Sequence, residues 1–276
     1  MNNCTLRGSV TLSADGALHL LQITDTHLMA ERGGTLLNMD TDDSLQAVVD
    51  TAHASGFEPH ALLITGDIAG DGAADAYLRL EHAISVFDAP SFWLPGNHDG
   101  CHQAQVPAER FSRTINTPHW QLVMLNSQVP GAVGGYLASA ELDALSKAVD
   151  EANAAGRHLL VALHHPLHPL GCQWLDPQRV RNEAAFSAEI ERIKHTALVI
   201  SGHVHQESDM TVGGVRYLTT PSTCVQFEPG QAQFKAHDIA PGYRWLTLYP
   251  DGRFDTAVER VIGRQFVVDL TSGGYL

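Results

Sequence analysis

The sequence predicts an α/β protein of mixed sheets flanked by helices. Short apolar runs of strand length alternate with segments of helical apolar spacing through about the first 200 residues. From about residue 210 the helical spacing stops, and turn-separated strand patterns take over. A polar, metal-ligand type of residue stands just past the end of five of the apolar runs.

In chain order, Leu18 to Thr24 reads as a buried strand. Asp42 to Ala54 reads as a helix, with Leu45, Val48, Val49 and Ala52 on one face. Ala61 to Thr65 is the next strand, followed by a helix near Ala73 to Phe87. Ser91 to Leu94 is a strand that Pro95 and Gly96 end abruptly, which leaves Asn97 and His98 in the loop beyond. Gln121 to Asn126 and His158 to Leu163 are further strands with a helix, Ser139 to Ala154, between them. A helix around Arg179 to Lys194 leads to the strand Ala197 to Ser201. Val215 to Thr220, Tyr243 to Tyr249 and Arg253 to Val258 read as antiparallel strands, the last two joined by an Asp251-Gly252 turn.

The chain has 276 residues, 44% of them hydrophobic, enough for one large domain spanning 1–276 with a β-rich part from about residue 210. No apolar stretch is long enough to span a membrane. Met1-Asn2-Asn3-Cys4 lacks the basic and apolar regions of a secretory signal, so a cytoplasmic location is expected. Cys4, Cys101, Cys172 and Cys224 are scattered without a C-x-x-C spacing and read as reduced thiols. Lys and Arg number 17 against 31 Asp and Glu, a formal charge of −14 with no dense basic run, which disfavours polymeric nucleic acid as a partner, and no membrane partner is expected. A small anion is different, because bound cations supply positive charge locally.

The candidate ligands come in ordered blocks: Asp25 and His27; Gly66 and Asp67; Gly96, Asn97, His98 and Asp99; His164; then Gly202, His203 and His205. Carboxylate, imidazole and amide oxygen suit hard or borderline cations, and no block contains a thiolate. Two such ions, roughly 3.5–4 Å apart in two-metal sites, clamp the attacking and leaving oxygens of phosphoryl transfer. Phosphoester hydrolysis is the reaction class to which this donor set points.

The series D-x-H, G-D, G-N-H-D, H, G-H-x-H resembles the signature of the calcineurin-like metallophosphoesterases over about Leu18 to Arg260. Outside the ligand blocks the resemblance narrows to the bacterial class III cyclic nucleotide phosphodiesterases, in particular their cyclic AMP subgroup. Leu21 to His27 (LQITDTH), Gly171 to Asp176 (GCQWLD) with Arg181 and Asn182, Thr220 to Phe227 (TPSTCVQF) and Ala240 to Gly242 (APG) carry that narrower match.

The resemblance implies a four-layer αββα sandwich, with the late strands in the second sheet. It implies two divalent or mixed-valence metal ions, iron and manganese first, with zinc or cobalt as alternatives. Asp25, His27, Asp67 and His205 would hold the first ion, and Asp67 would bridge to a second held by Asn97, His164 and His203. The implied reaction is in-line attack of a metal-bridging hydroxide on 3′,5′-cyclic AMP, giving 5′-AMP. His98 would approach the phosphoryl group as proton donor, with Asn97 and His98 facing substrate; Asp99 is a candidate to orient His98, and His165 is a candidate either to support a ligand from behind or to face substrate. A glycerophosphodiesterase or a broad phosphodiesterase of the same superfamily is the rival enzyme. A non-catalytic metal-binding scaffold is the rival of another class. Oligomeric state leaves no trace in the sequence.

In the doublet His164-His165, strand alternation allows only one residue to coordinate a given ion. The family places its ligand two residues before a proline, and Pro166 selects His164. Trp174 is a candidate platform for adenine or a scaffold residue, and Asp176 reads as the N-cap of a helix starting near Pro177. Thr220 to Phe227 either lines the cleft or holds the last ligand loop. His53, His60, His82, His102, His119, His158, His195 and His237 read as surface or structural residues, and His168 stands near the ligands without matching a block.

Overall fold

The computed structural model describes residues 12–100 and 107–274, so Cys4, Cys101 and His102 lie outside the described residues. β1 (Leu18–Ile23) is followed by the short pair β2 (Thr35–Leu36) and β3 (Met39–Asp40), then α1 (Thr41–Ala54). β4 (Ala61–Thr65), α2 (Ala74–Ile84), β5 (Ser91–Leu94), β6 (Thr114–Asn116) and β7 (Trp120–Leu125) come next. α3 (Ser139–Ala155), β8 (His158–Leu163), α4 (Glu183–Ile190) and β9 (Ala197–Ser201) complete the α/β part. β10 (Ser208–Val212), β11 (Val215–Thr219), β12 (Gln226–Phe227), β13 (Ala236–His237), β14 (Gly242–Leu248) and β15 (Phe254–Arg260) follow.

One sheet has the order β15-β14-β1-β4-β5, the other β10-β11-β9-β8-β7-β6. Strand alternation sorts the apolar side chains into three layers of core. Leu18, Leu20, Leu63 and Phe92 of the first sheet pack against Leu122, Leu160, Leu198 and Ile200 of the second. Leu21, Ile23, Leu62 and Ile64 turn outward onto Val48 and Val49 of α1 and Tyr77 and Leu80 of α2. Val123, Leu159, Val161 and Val199 turn outward onto Leu145 of α3 and Phe186 of α4. The result is the expected four-layer αββα sandwich. Strands buried on both faces explain why these runs are nearly continuous in apolar residues.

Local signals start and stop the helices. The Asp40 carboxylate accepts from the Asp43 amide, 2.9 Å, at the start of α1. Gly156 ends α3 in the left-handed conformation, φ 66°. No helix of the described residues is long and apolar enough to cross a membrane.

Three expectations are corrected. The late strands do not all join the second sheet: β11 runs parallel to β9 there, whereas the β14–β15 hairpin pairs antiparallel with β1 in the first. Strand pattern reports which side chains are buried and not which neighbour a strand chooses. The helix near Arg179 begins only at Glu183. Asp176 is no helix cap: it opens a short 3₁₀ turn, and its carboxylate accepts from the Leu170 amide at 2.7 Å, closing the loop that precedes it.

Candidate metal centre

β1, β4 and β5 run parallel in one sheet, and β8 and β9 run parallel in the other. Each is followed at its C-terminal end by a ligand block. The shared apolar core presses the sheets together, so the five loops meet at one edge.

Three glycines permit that approach. A Cβ on Gly96 would lie 2.2 Å from Asp67 Oδ1, one on Gly66 would lie 2.5 Å from His164 Nδ1, and one on Gly202 would lie 2.1 Å from Thr24 Oγ1. Backbone bonds then lock the loops: Asp25 N donates to Gly66 O at 3.0 Å and His27 N to Asp67 O at 2.9 Å. Between the sheets below, Gln22 donates to Thr65 Oγ1 at 2.9 Å and accepts from Thr220 Oγ1 at 2.6 Å.

The backbone is strained where the ligands sit. Asp25, His27, Asp67, His203 and His205 have φ of 54°, 44°, 49°, 70° and 48°. Left-handed conformations of non-glycine residues cost about 1 kcal/mol or more each and persist only where the surroundings over-determine them. All five are fully or nearly fully buried, and all five aim donor atoms at one small volume.

The donor atoms form overlapping groups. Asp25, His27 and His205 offer ligand atoms within 4.8 Å of one another, as do Asp25, Asp67 and His164, and also His164, His165 and His203. Asp67 Oδ2 stands 3.7 Å from His27 Nε2 on one side and 3.2 Å from His164 Nε2 on the other, so one carboxylate serves both halves. Asn97 Oδ1 is 3.2 Å from His164 Nε2. His27 Nε2 and His205 Nε2 face each other at 3.1 Å, an approach that a shared cation rationalises.

Ring orientation is fixed from behind. His164 Nδ1 donates to Thr65 O at 2.8 Å and His205 Nδ1 to Val225 O at 2.7 Å, so both turn Nε2 toward the centre. His203 does the reverse: its Nε2 is 3.0 Å from Gln178 Oε1, and its buried Nδ1 has no hydrogen-bond partner. A buried, orphaned imidazole nitrogen on a ring grouped with the His164 donor fits a cation.

Charge states agree. Burial drives His27 down to about 3, and burial together with neighbouring His165 and His164 drives His203 well below its ordinary value. Burial opposes ionisation of Asp67, but His164 more than offsets it and holds the carboxyl well below the usual range. Burial likewise lowers His164, yet Asp67 and Asp25 raise it to about 9. The proton on His164 thus stands where a cation is favoured, and metal binding would release it.

Asp99 and His165 take other partners than substrate-side roles require, and Trp174, open in the sequence, packs into the scaffold. Asp99 does not orient His98: its carboxylate accepts from Gly96 N at 2.8 Å, Ile68 N at 3.0 Å, Ala69 N at 3.0 Å and Tyr77 OH at 2.9 Å, tying the β4 and β5 loops together. Burial and then the Asp67 charge raise it to about 6. The His98 ring is set instead by Gly70 O, 3.1 Å from Nδ1. His165 has no lone pair to offer a metal or substrate. Its Nε2 donates to Val133 O at 2.9 Å, which leaves Nδ1 to accept from Ser127 Oγ at 2.8 Å. Trp174 packs edge-on against Phe227 and Phe234, ring centres 5.2 and 5.1 Å away, and is a scaffold residue.

The Thr220 to Phe227 stretch, open in the sequence, holds the ligand loops. Ser222 Oγ donates to Asp25 O at 2.7 Å, Val225 O accepts from His205, and Phe227 stacks on the His205 ring at 4.2 Å and 6°. His168 lies against Tyr217, 4.4 Å between ring centres, and belongs to no donor group among the described residues. Sequence reading passed over Gln178 on His203 and Gln128, whose amide donates to Asp99 O at 2.5 Å. Neither matches a ligand block, so nothing in the sequence marked them.

Fold and donor set together define a metal-dependent phosphoesterase. The calcineurin-like phosphoesterase family profile matches residues 18–207, and the chain belongs to that family. It is 39% identical to a Pseudomonas aeruginosa 3′,5′-cyclic adenosine monophosphate phosphodiesterase, CpdA, over 98% of this chain and 99% of that protein. It is 38% identical to the CpdA of Escherichia coli K12 over 97% and 98% of the two chains. A dimetal phosphatase from Danio rerio shares the fold, with a TM-score of 0.61 at 15% identity, covering 88% of this chain and 99% of the other.

Proposed function

We propose that this chain hydrolyses 3′,5′-cyclic AMP to 5′-AMP at the centre described above. The carrying observation is end-to-end similarity, 39% over 98% of the chain, to a protein named for that reaction. The convergence of seven oxygen and nitrogen donors from both sheets supports the reading. Asp25, His27, Asp67 and His205 would hold one metal ion and Asp67, Asn97, His164 and His203 the other, with iron and manganese the favoured pair. The bound ions supply Lewis acidity and an activated water.

The remaining work belongs to side chains. Asp67 Oδ2 lies between the two donor halves, while its Oδ1 accepts from His98 N at 2.8 Å, so the bridge also positions the loop that faces substrate. His98 and Asn97 are half-buried at the mouth of an otherwise buried centre. The contact between Nδ1 and Gly70 O fixes the His98 ring, so Nε2 is the atom from which the charged ring would hand a proton to the departing 3′ oxygen.

Purified protein loaded with Mn²⁺ and offered cyclic AMP, a glycerophosphodiester and bis(nitrophenyl) phosphate tests the reading. Cyclic AMP should be turned over with the highest kcat/KM and yield 5′-AMP. Formation of 3′-AMP, or a clear preference for the glycerophosphodiester, would refute it.

A further inference from the structure

Gln178 stands outside every ligand block, yet its side-chain amide connects the GCQWLD loop to a ligand histidine. The backbone carbonyl of Trp174 can only accept, so the contact of 3.1 Å at Gln178 Nε2 assigns the NH₂ end of the amide to that carbonyl. Gln178 Oε1 therefore faces His203, 3.0 Å from Nε2. An amide oxygen accepts, so His203 must carry its proton on Nε2. The other nitrogen, Nδ1, is then a bare lone pair, and it is the buried atom without a hydrogen-bond partner.

The relay is anchored at both ends. Trp174 is wedged between Phe227 and Phe234, and Phe227 also stacks on His205. On the other side Gln178 O accepts from Gly135 N at 3.1 Å, Arg181 N donates to Gly135 O at 3.0 Å, and the Asn182 amide is bonded to both N and O of Leu137. Gln178 is thereby fixed by the backbone on either flank.

We infer that Gln178 is a positioning residue that sets the tautomer of His203, presenting Nδ1 to the second metal ion through the fixed amide of the 174–178 turn. This inference rests on the reading of His203 as a ligand. It gives the GCQWLD segment a task at the metal centre in place of contact with the base.

The test uses the Zn²⁺-loaded protein, in which ion retention is followed against chelators of graded affinity and histidine N–H groups are followed by nitrogen-15 NMR. Gln178→Leu removes the acceptor while leaving the backbone bond to Gly135. It should weaken retention of one ion by about 10–100-fold, leave the other unchanged, and expose the His203 Nε2–H to rapid exchange. Gln178→Glu keeps an acceptor for His203 Nε2 while giving up the donor to Trp174 O, and should recover retention and slow exchange relative to Gln178→Leu. Wild-type retention and slow exchange in Gln178→Leu would overturn the inference, as would a His203 proton on Nδ1 in the parent protein. If His203→Ala still holds two ions, the ligand reading itself fails. If His203→Ala loses one while Gln178→Leu loses none, only the tautomer role is wrong.

Discussion

Gly96→Ala isolates the close approach on which the bridging carboxylate depends. Gly96 does not occupy a left-handed backbone conformation, so alanine meets no backbone penalty there. The entire cost is contact: the new Cβ would lie 2.2 Å from Asp67 Oδ1, 2.4 Å from Asp67 N and 2.7 Å from Asp67 Cγ. Ordinary van der Waals contact starts near 3.4 Å, so the carboxylate or the loop must retreat by about 1 Å. Neither moves freely. Asp67 is held by His98 N and His164, and the Gly96 loop is held by the Asp99 carboxylate. Overpacking of this kind costs about 1–3 kcal/mol of stability, and a misplacement of about 1 Å costs about 10²-fold in rate. Gly96→Ala should therefore lower kcat/KM for cyclic AMP by about two orders of magnitude and weaken both ions together. Gly273→Ala, where a Cβ meets nothing within 4 Å, should be silent. Calorimetric melting, metal analysis and kinetics on the two variants give the answer. A Gly96→Ala protein with two ions and wild-type turnover would show that Asp67 is not pinned as described.

Asp67→Ala should empty both metal positions, whereas His164→Ala should release only one ion; metal analysis of the two variants distinguishes them. His165→Ala should keep both ions but lose about 1–3 kcal/mol of stability by stranding buried Ser127 Oγ, which a denaturant titration measures. His165 is held down to about 3 by burial, then by His164, against the ordinary 6.5. The unfolded chain binds that proton first, so stability should fall as pH drops below 6.5, by about 1 kcal/mol per pH unit, and the slope should flatten in a His165→Asn variant. His98→Ala should retain both ions and lose more turnover on cyclic AMP than on bis(nitrophenyl) phosphate, whose phenolate leaves without a proton; equal losses would remove the proton-donor role.

Much of the molecule follows from local chemistry. Runs such as Leu62 to Thr65 and Leu159 to Leu163 are buried on both faces and announce themselves as parallel strands. The ligand blocks are legible because each joins a strand end to a glycine or a short polar loop, and because the donor types select oxygen- and nitrogen-seeking cations. Pro166 favours His164 over His165 in the sequence; in the fold His164 is held through Nδ1 by Thr65 O, whereas both ring nitrogens of His165 are engaged by Val133 O and Ser127 Oγ.

What only the tertiary structure decided are relations between segments far apart in the chain. Asp99 and His98 are neighbours in sequence, yet the carboxylate turns to Gly96 N of its own turn, to Ile68 N and Ala69 N of the β4 loop and to Tyr77 OH of α2, and the imidazole to Gly70 O. The β14–β15 hairpin joins β1 across more than 200 residues, a choice that periodicity cannot express, because it encodes which face is apolar and not which edge is open. Gln178 on His203, and Ser222 on Asp25, carry no motif because each acts through one hydrogen bond whose partner is defined only when both sheets have packed. Residue type and local spacing determined the donors and the strands that deliver them. The orientation of each donor was left to the packed fold, because a hydrogen bond or a left-handed φ is specified by its surroundings and not by the residue alone.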